Sequence, residues 1–150
     1  MLIDPTSTYA RAAAAAMGRA MDDSIIAAAT GSALTGKTGG TSTALTQTIA
    51  NGSADMTVAK LIEAKKKLDD GSVDPSIPRH IVVGPDQIEA LLGTTSVTSS
   101  DFNTVKALVQ GEIDTFMGFK FHTSTRLSKS GNIRKCFAFA EDGLKLAVGK

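Results

Sequence analysis

A pattern typical of phosphate-binding loops is the first candidate for chemistry in this chain. Residues 31–38 read GSALTGKT, a glycine followed by four residues and Gly-Lys-Thr, in which backbone N–H groups and a lysine would hold phosphates. Such a loop leaves a β-strand and opens a helix, because the helix N-terminus helps to bind the anion. Here an alanine-rich, helix-forming segment precedes the motif, and two glycines follow Thr38, where a helix does not readily begin. Nucleotide binding through Lys37 is therefore an alternative hypothesis, and a flexible loop is the preferred interpretation.

The remaining candidates do not combine into an active site. His80 and His122 have no acidic or histidine partner at helical spacing, so both are interpreted as structural or surface residues. Cys136 is the only cysteine, which excludes an internal disulfide and a thiolate zinc site within one chain, and its apolar surroundings favour a buried thiol. Adjacent acids diverge on a helix or turn and form no local dyad: Asp22-Asp23, Asp69-Asp70 and Glu141-Asp142. We expect no catalytic residue, no cofactor and no metal site.

A long helix is predicted near the start of the chain. Asp4 and Pro5 provide a favourable helix entry, and the pattern continues to about Ala29. Its apolar face repeats every fourth residue, at Tyr9, Ala13, Met17, Met21 and Ile25. Because so many of its residues are alanines, this helix buries little apolar area and must be stabilised by packing. Residues 31–53, rich in Gly, Thr and Ser, are interpreted as a loop or a domain crossing.

Helices and strands alternate after this stretch. Asp55 or Thr57 is predicted to cap a second helix, and Gly71 follows its end. The short apolar and β-branched run at residues 80–83 predicts a buried strand. Pro85 then favours a short helix, because proline is well tolerated at the first helical position.

The last part of the chain combines one more helix with strands. An exposed polar loop over residues 93–100 leads to a predicted helix over residues 101–111. A strand follows, in which Gly118 marks a bend or a change of partner. Residues 135–140 and 144–148 are predicted to form a hairpin around an Asp-Gly turn. Because helices and strands are mixed, the predicted class is α+β.

Composition fits one ordered domain, or one domain with a fragment of another. The chain has 150 residues, of which 42% are hydrophobic, enough to supply a core. Lys and Arg number 16 against 15 Asp and Glu, which gives a formal net charge of +1. The overall electrostatic potential therefore does not favour binding to nucleic acid or to an anionic membrane. No stretch reaches the roughly 20 apolar residues needed to span a bilayer, and no signal peptide is recognisable. These features favour an intracellular protein without specific nucleic-acid recognition or a membrane partner.

Two segments resemble the major capsid proteins of tailed phages, of the Hong Kong 97 type. They are HIVVGPDQIEALLG at residues 80–93 and IDTFMGFKFHTSTRL at residues 113–127, the latter inside VKALVQGEIDTFMGFKFHTSTRL at residues 105–127. The resemblance covers most of this chain and corresponds to the central and C-terminal portion of a capsid protein, without the N-terminal arm and extended loop of the family. It implies a fragment of a phage or prophage subunit.

The resemblance also implies a domain organisation. Residues 1–30 would be the spine helix of the peripheral domain, residues 31–133 the axial domain with a central sheet flanked by helices, and residues 134–150 the return strands of the peripheral domain. In this family the axial domain points towards a five- or six-fold axis, so the polar loop would meet its symmetry mates. This predicted capsomer-contact loop consists of Gly93, Thr94, Thr95, Ser96, Val97, Thr98, Ser99 and Ser100.

A capsid subunit acts by contacting copies of itself, which requires neither a cofactor nor a catalytic cluster. The resemblance thus implies a non-enzymatic structural protein of the virion capsid, which assembles in the host cytoplasm into pentamers and hexamers as the full-length protein. Bacterial encapsulin shells share the fold, so an encapsulin-like shell protein is an open alternative. A nucleotide-binding protein that uses residues 31–38 is the less favoured alternative.

Overall fold

The structure, a computed structural model, describes residues 7–93 and 115–148. Within these ranges three α-helices combine with short β-strands, so the predicted α+β class is confirmed. The chain divides into two compact units, Met1–Ala44 and Leu45–Lys150. The predicted helix entry at Asp4 and Pro5 and the predicted helix over residues 101–111 lie outside the described residues.

A long helix, α1 (Thr8–Thr30), is the main element of the first unit. Ser7 caps it, since the Ser7 hydroxyl oxygen accepts a hydrogen bond from the Ala10 amide at 3.2 Å. The described helix therefore begins at Thr8 and ends one residue beyond the predicted end at Ala29. Ile26 is the only buried residue among the 23 of α1, so this helix contributes few side chains to a core.

A β-hairpin follows α1 where a loop was predicted. Strands β1 (Ser32–Thr35) and β2 (Thr41–Ala44) pair antiparallel, and the Thr35 and Thr43 hydroxyls are 2.8 Å apart across the pair. The eight strand residues are all exposed, so no alternation of apolar and polar residues marks them in the sequence. Threonine-rich strands of this kind are stabilised by cross-strand hydrogen bonds.

Two glycines of the first unit should respond oppositely to replacement by alanine. Gly18→Ala should stabilise α1 by about 1 kcal/mol, because a Cβ there meets nothing within 4 Å and alanine has the higher helix propensity. Gly31→Ala should instead destabilise it by about 1–3 kcal/mol, because its Cβ would lie 2.7 Å from the Ala27 carbonyl oxygen. Thermal unfolding followed by circular dichroism at 222 nm would measure both. Shifts of the same sign would contradict this account.

The second unit begins with a well-capped helix, α2 (Val58–Asp70). The Thr57 hydroxyl oxygen accepts a hydrogen bond from the Lys60 amide at 3.4 Å, so Thr57 is the N-cap of the two predicted alternatives. At the other end, the Gly71 amide donates to the Lys67 carbonyl at 3.1 Å. Both predicted helix boundaries are confirmed.

A four-stranded sheet organises the second unit. The strands of this unit are β3 (Arg79–Val83), β4 (Thr115–Phe116), β5 (Phe119–Thr123), β6 (Lys129–Ser130), β7 (Ile133–Arg134) and β8 (Phe137–Ala140). Central β3 pairs parallel with β5 and antiparallel with β8, and β4 pairs antiparallel with β5. A separate short hairpin joins β6 and β7. The predicted buried strand at residues 80–83 is confirmed.

One face of the four-stranded sheet forms the core with two helices. Every second residue of β3 is buried, namely Arg79, Ile81 and Val83. Ile81 and Val83 belong to one cluster with Leu61 of α2 and Leu91 of α3 (Pro85–Gly93). Both helices therefore cover the same face, and the short helix predicted to start at Pro85 is confirmed.

The chain reverses at Gly118 instead of bending. Met117 and Gly118 have φ angles of 52° and 82°, and they form the two-residue turn between β4 and β5. Positive φ at both central residues is typical of hairpin turns whose twist matches that of the strands. A methionine rarely adopts this conformation, which is why the sequence pattern favoured a bend or a change of partner at Gly118 and not a two-residue turn.

The hairpin predicted over residues 135–148 is only half present. Strand β8 forms, but Glu141–Gly143 is a 3₁₀ helix and residues 144–148 form no strand. The Asp-Gly pair thus lies in a helical turn and not in a two-residue hairpin turn. Strand β8 pairs with β3 instead, and the Glu141 amide donates to the Pro78 carbonyl at 3.0 Å beyond the end of that ladder.

Candidate self-association surfaces

Helix α1 presents an exposed apolar stripe. Tyr9, Met17 and Met21 are 86%, 62% and 37% exposed, and their spacing in multiples of four places them along one side of the helix. Helices of globular proteins are stabilised mainly by packing an apolar face, and only Ile26 of α1 is buried. The stripe therefore has the character of a contact surface.

The phosphate-loop motif folds as part of a hairpin. Its residues 32–35 form β1, and the turn that follows contains Gly36 and Gly39 at φ angles of 89° and 67°. After Thr38 the chain enters β2 and not a helix, so no helix N-terminus faces the lysine. This geometry gives no support to nucleotide binding through Lys37.

A charged cavity of about 460 Å³ lies beside the start of β3, with Lys65, Asp69, Asp74 and Arg79 among its lining residues. The Arg79 side chain is buried and donates to the Asp69 carboxylate at 2.5 Å and to the Val73 carbonyl at 3.3 Å. These bonds tie the end of α2 and the following loop to the sheet. Because the two cations are balanced by two carboxylates, we assign Arg79 a structural role. The sequence pattern did not single it out, since an arginine before a strand is usually exposed.

The sheet face opposite the helices carries aromatic rings. His80 on β3 stacks on Phe139 of β8, with ring centroids 5.4 Å apart, and on His122 of β5 at 5.2 Å. The His80 Nδ1 and His122 Nε2 atoms are 3.0 Å apart, a hydrogen-bond distance. The sequence spacing gave neither histidine a nearby partner. The parallel pairing of β3 with β5 brings the two side chains together.

Cys136 lies half-buried at the edge of the core cluster. Its thiol donates a long hydrogen bond to the Arg134 carbonyl at 3.9 Å. Burial raises the pKa of the Cys136 thiol, and the Gly84 backbone and the Arg134 charge oppose this effect only in part. The sequence predicted a buried thiol, and the structure places Cys136 half-buried beside the core.

Alkylation of Cys136 should be slower than alkylation of a free thiol. Because its pKa is raised, less of the reactive thiolate is present at a given pH, and burial restricts access to the reagent. The rate with iodoacetamide at pH 8 should fall below that of glutathione and should approach the glutathione rate once 6 M urea unfolds the chain. Equal rates in the folded protein would contradict the burial of this thiol.

The predicted capsomer-contact loop falls almost entirely outside the described residues. Gly93 is its one described member, where it is exposed and ends α3. The other predicted members, from Thr94 to Ser100, lie outside the described residues, so this surface stays a prediction.

Two further absences concern residues 7–93 and 115–148. No helix in these ranges has the length and apolar character needed to cross a membrane. In the same part of the chain, no three His, Cys, Asp or Glu side chains come together as a metal-binding group.

Comparison with known proteins identifies the family. The family described as phage capsid protein matches residues 1–150, the full length of the chain. Comparisons with curated proteins and with solved structures gave no significant match. The family match includes both units and the two segments that resemble capsid proteins in sequence, whereas the Hong Kong 97 type stays a prediction. The chain therefore belongs to the phage capsid protein family.

Proposed function

We propose that this chain is a structural subunit, or a fragment of one, of an icosahedral phage or prophage capsid, and that it acts by self-assembly into capsomers. The observation that carries the proposal is the exposed apolar stripe of α1 in a chain of the phage capsid family. Such a stripe is costly in water and favourable in an interface between subunits. The protein would act in the virion capsid, after assembly in the host cytoplasm, without enzymatic activity.

We also propose the domain assignment that the resemblance implies. Residues 1–30 would form the spine helix of a peripheral domain, residues 31–133 the axial domain and residues 134–150 the return towards the peripheral domain. The long α1 and the sheet covered by α2 and α3 support this assignment. Strand β8 lies in the returning segment and pairs with β3, so the return would begin within the axial sheet.

The exposed stripe offers a direct test of self-association. In the double variant Met17→Glu/Met21→Glu, concentration-dependent association should be lost, because two carboxylates would have to be buried in the interface. Sedimentation velocity across a hundredfold range of concentration, with negative-stain microscopy of the most concentrated sample, would measure it. A chain that stays monomeric throughout, or a double variant that associates as the parent does, would contradict the proposal.

A charge-matched control is available on the same helix. Arg19→Glu changes the net charge by the same two units, but Arg19 lies away from the stripe. Association should survive in this variant. Loss in both variants would indicate a general charge effect and not a specific interface.

The predicted contact loop requires a separate test. Replacing residues 93–100 by a Gly-Ser linker of equal length should weaken capsomer assembly and leave the circular dichroism of the monomer unchanged. Normal assembly of this variant would remove the loop from the interface. The same assembled particles would distinguish the two shells, since a phage capsid packages DNA and an encapsulin-like shell a protein cargo.

A further inference from the structure

Two imidazole rings converge on one face of the second unit. His80 is the second residue of β3 and His122 the fourth of β5, and these parallel strands pair with His80 opposite Lys120 and His122 opposite Val82. The two histidines are therefore diagonal neighbours on the sheet face that α2 and α3 do not cover. His122 is exposed and His80 is half-buried, so solvent reaches the pair.

The separation of the facing nitrogens suits a metal ion. His80 Nδ1 and His122 Nε2 lie 3.0 Å apart. Two nitrogens at about 2.1 Å from one ion are separated by about 3.0 Å at a right angle and by about 3.4 Å at a tetrahedral angle. Small rotations about the last side-chain bond, which is soft in histidine, would turn both lone pairs towards a shared point.

We propose that His80 and His122 form a two-histidine binding site for a divalent transition-metal ion such as Ni²⁺ or Zn²⁺. Imidazole nitrogen is a preferred ligand of these ions, and the remaining coordination positions would be held by water. In the metal-free protein one of the two facing nitrogens carries the shared proton. On binding, that ring moves its proton to its other nitrogen, which leaves both facing lone pairs available to the ion.

The neighbouring strand positions set the strength of the site. Phe139 stacks on one face of His80 and leaves the edge of that ring that carries Nδ1 turned towards His122. Lys120 pairs with His80 on the adjacent strand, and its cation opposes a divalent ion.

Thermal unfolding of the full chain with NiCl₂ or ZnCl₂ tests the site. At a metal concentration about one hundred times the dissociation constant, Tm should rise by several degrees, since only the folded chain holds the two rings together. The rise should disappear in His80→Asn and in His122→Gln, which keep a polar group near each facing nitrogen but lack the imidazole. MgCl₂ should have no effect, because Mg²⁺ prefers oxygen ligands.

Two control variants separate this site from other binding. Cys136→Ala removes the only thiol and should leave the metal response intact, while Lys120→Met should strengthen it.

Electron paramagnetic resonance of the chain with Cu²⁺ counts the coordinated nitrogens and does not depend on the stability of any variant. Two imidazole nitrogens are expected. Fewer than two, no rise in Tm, or a rise that survives either histidine substitution would overturn the proposal.

Discussion

Replacing Phe119 by alanine should reduce the free energy of unfolding by about 3–5 kcal/mol, the largest loss we expect from any single truncation. Phe119 is fully buried and is the largest such side chain in the described part of the chain. It opens β5 at the centre of the core cluster, where Leu61 of α2 and Leu91 of α3 also lie. Removing the ring would leave a cavity between both helices and the sheet. Urea unfolding followed by circular dichroism would measure the change, since the chain has no tryptophan.

The same truncation at Phe137 provides the control. Phe137 is half-buried on β8, and its ring packs beside Phe139, with centroids 5.9 Å apart. Because less of its surface leaves water on folding, Phe137→Ala should cost only about 1 kcal/mol. A loss at Phe119 no greater than the loss at Phe137 would contradict the assigned core.

The second large effect concerns the buried Arg79. Asp69→Ala should destabilise the chain by about 2–3 kcal/mol, because it leaves the guanidinium in the protein interior without its carboxylate. The Asp69 side chain is 46% exposed, which keeps the expected loss below that of a fully buried pair. Chemical unfolding at neutral pH would measure it.

The identity of the unpaired group can be checked with a double variant. Adding Arg79→Met to Asp69→Ala should recover part of the lost stability, since the orphaned buried charge is then replaced by an apolar side chain. Asp142→Ala serves as the control, because its pair with Lys145 is 72% exposed on both sides and should contribute less than about 0.5 kcal/mol. A further loss in the double variant would show that Arg79 stabilises the fold without its partner.

Local chemistry predicted α2, α3 and the central strand β3 well. Thr57, Gly71 and Pro85 mark helix boundaries through hydrogen bonds or ring geometry that depend on neighbouring residues alone. The hairpin of β1 and β2 was missed, because exposed threonines and serines carry no apolar alternation. Strand β8 was expected to pair with the residues after it and pairs instead with β3. This pairing depends on a strand far away in the sequence, so the local pattern did not predict it.

The sequence predicted the surface that lies within one helix, but it did not predict the contacts between separate elements. The stripe on α1 follows from a four-residue repeat within one helix, so Tyr9, Met17 and Met21 could be grouped from the sequence. The pairing of His80 with His122 and the bond between Arg79 and Asp69 depend on how separate elements meet. Sequence spacing contains no direct measure of such distances, and only the strand patterns around both histidines hinted that they could share a sheet.

The central position of β3 determines the order in which the sheet can be completed. Its antiparallel partner β8 lies roughly 60 residues further along the chain, which at a synthesis rate of about 10 residues per second delays that partner by about 6 s. The parallel partner β5 lies roughly 40 residues after β3, so both edges of β3 stay unpaired for about 4 s of this interval and one edge stays unpaired until β8 is made. An apolar strand with an open edge is a template for pairing with another chain, so partly synthesised copies are most prone to associate through β3 before β8 is available.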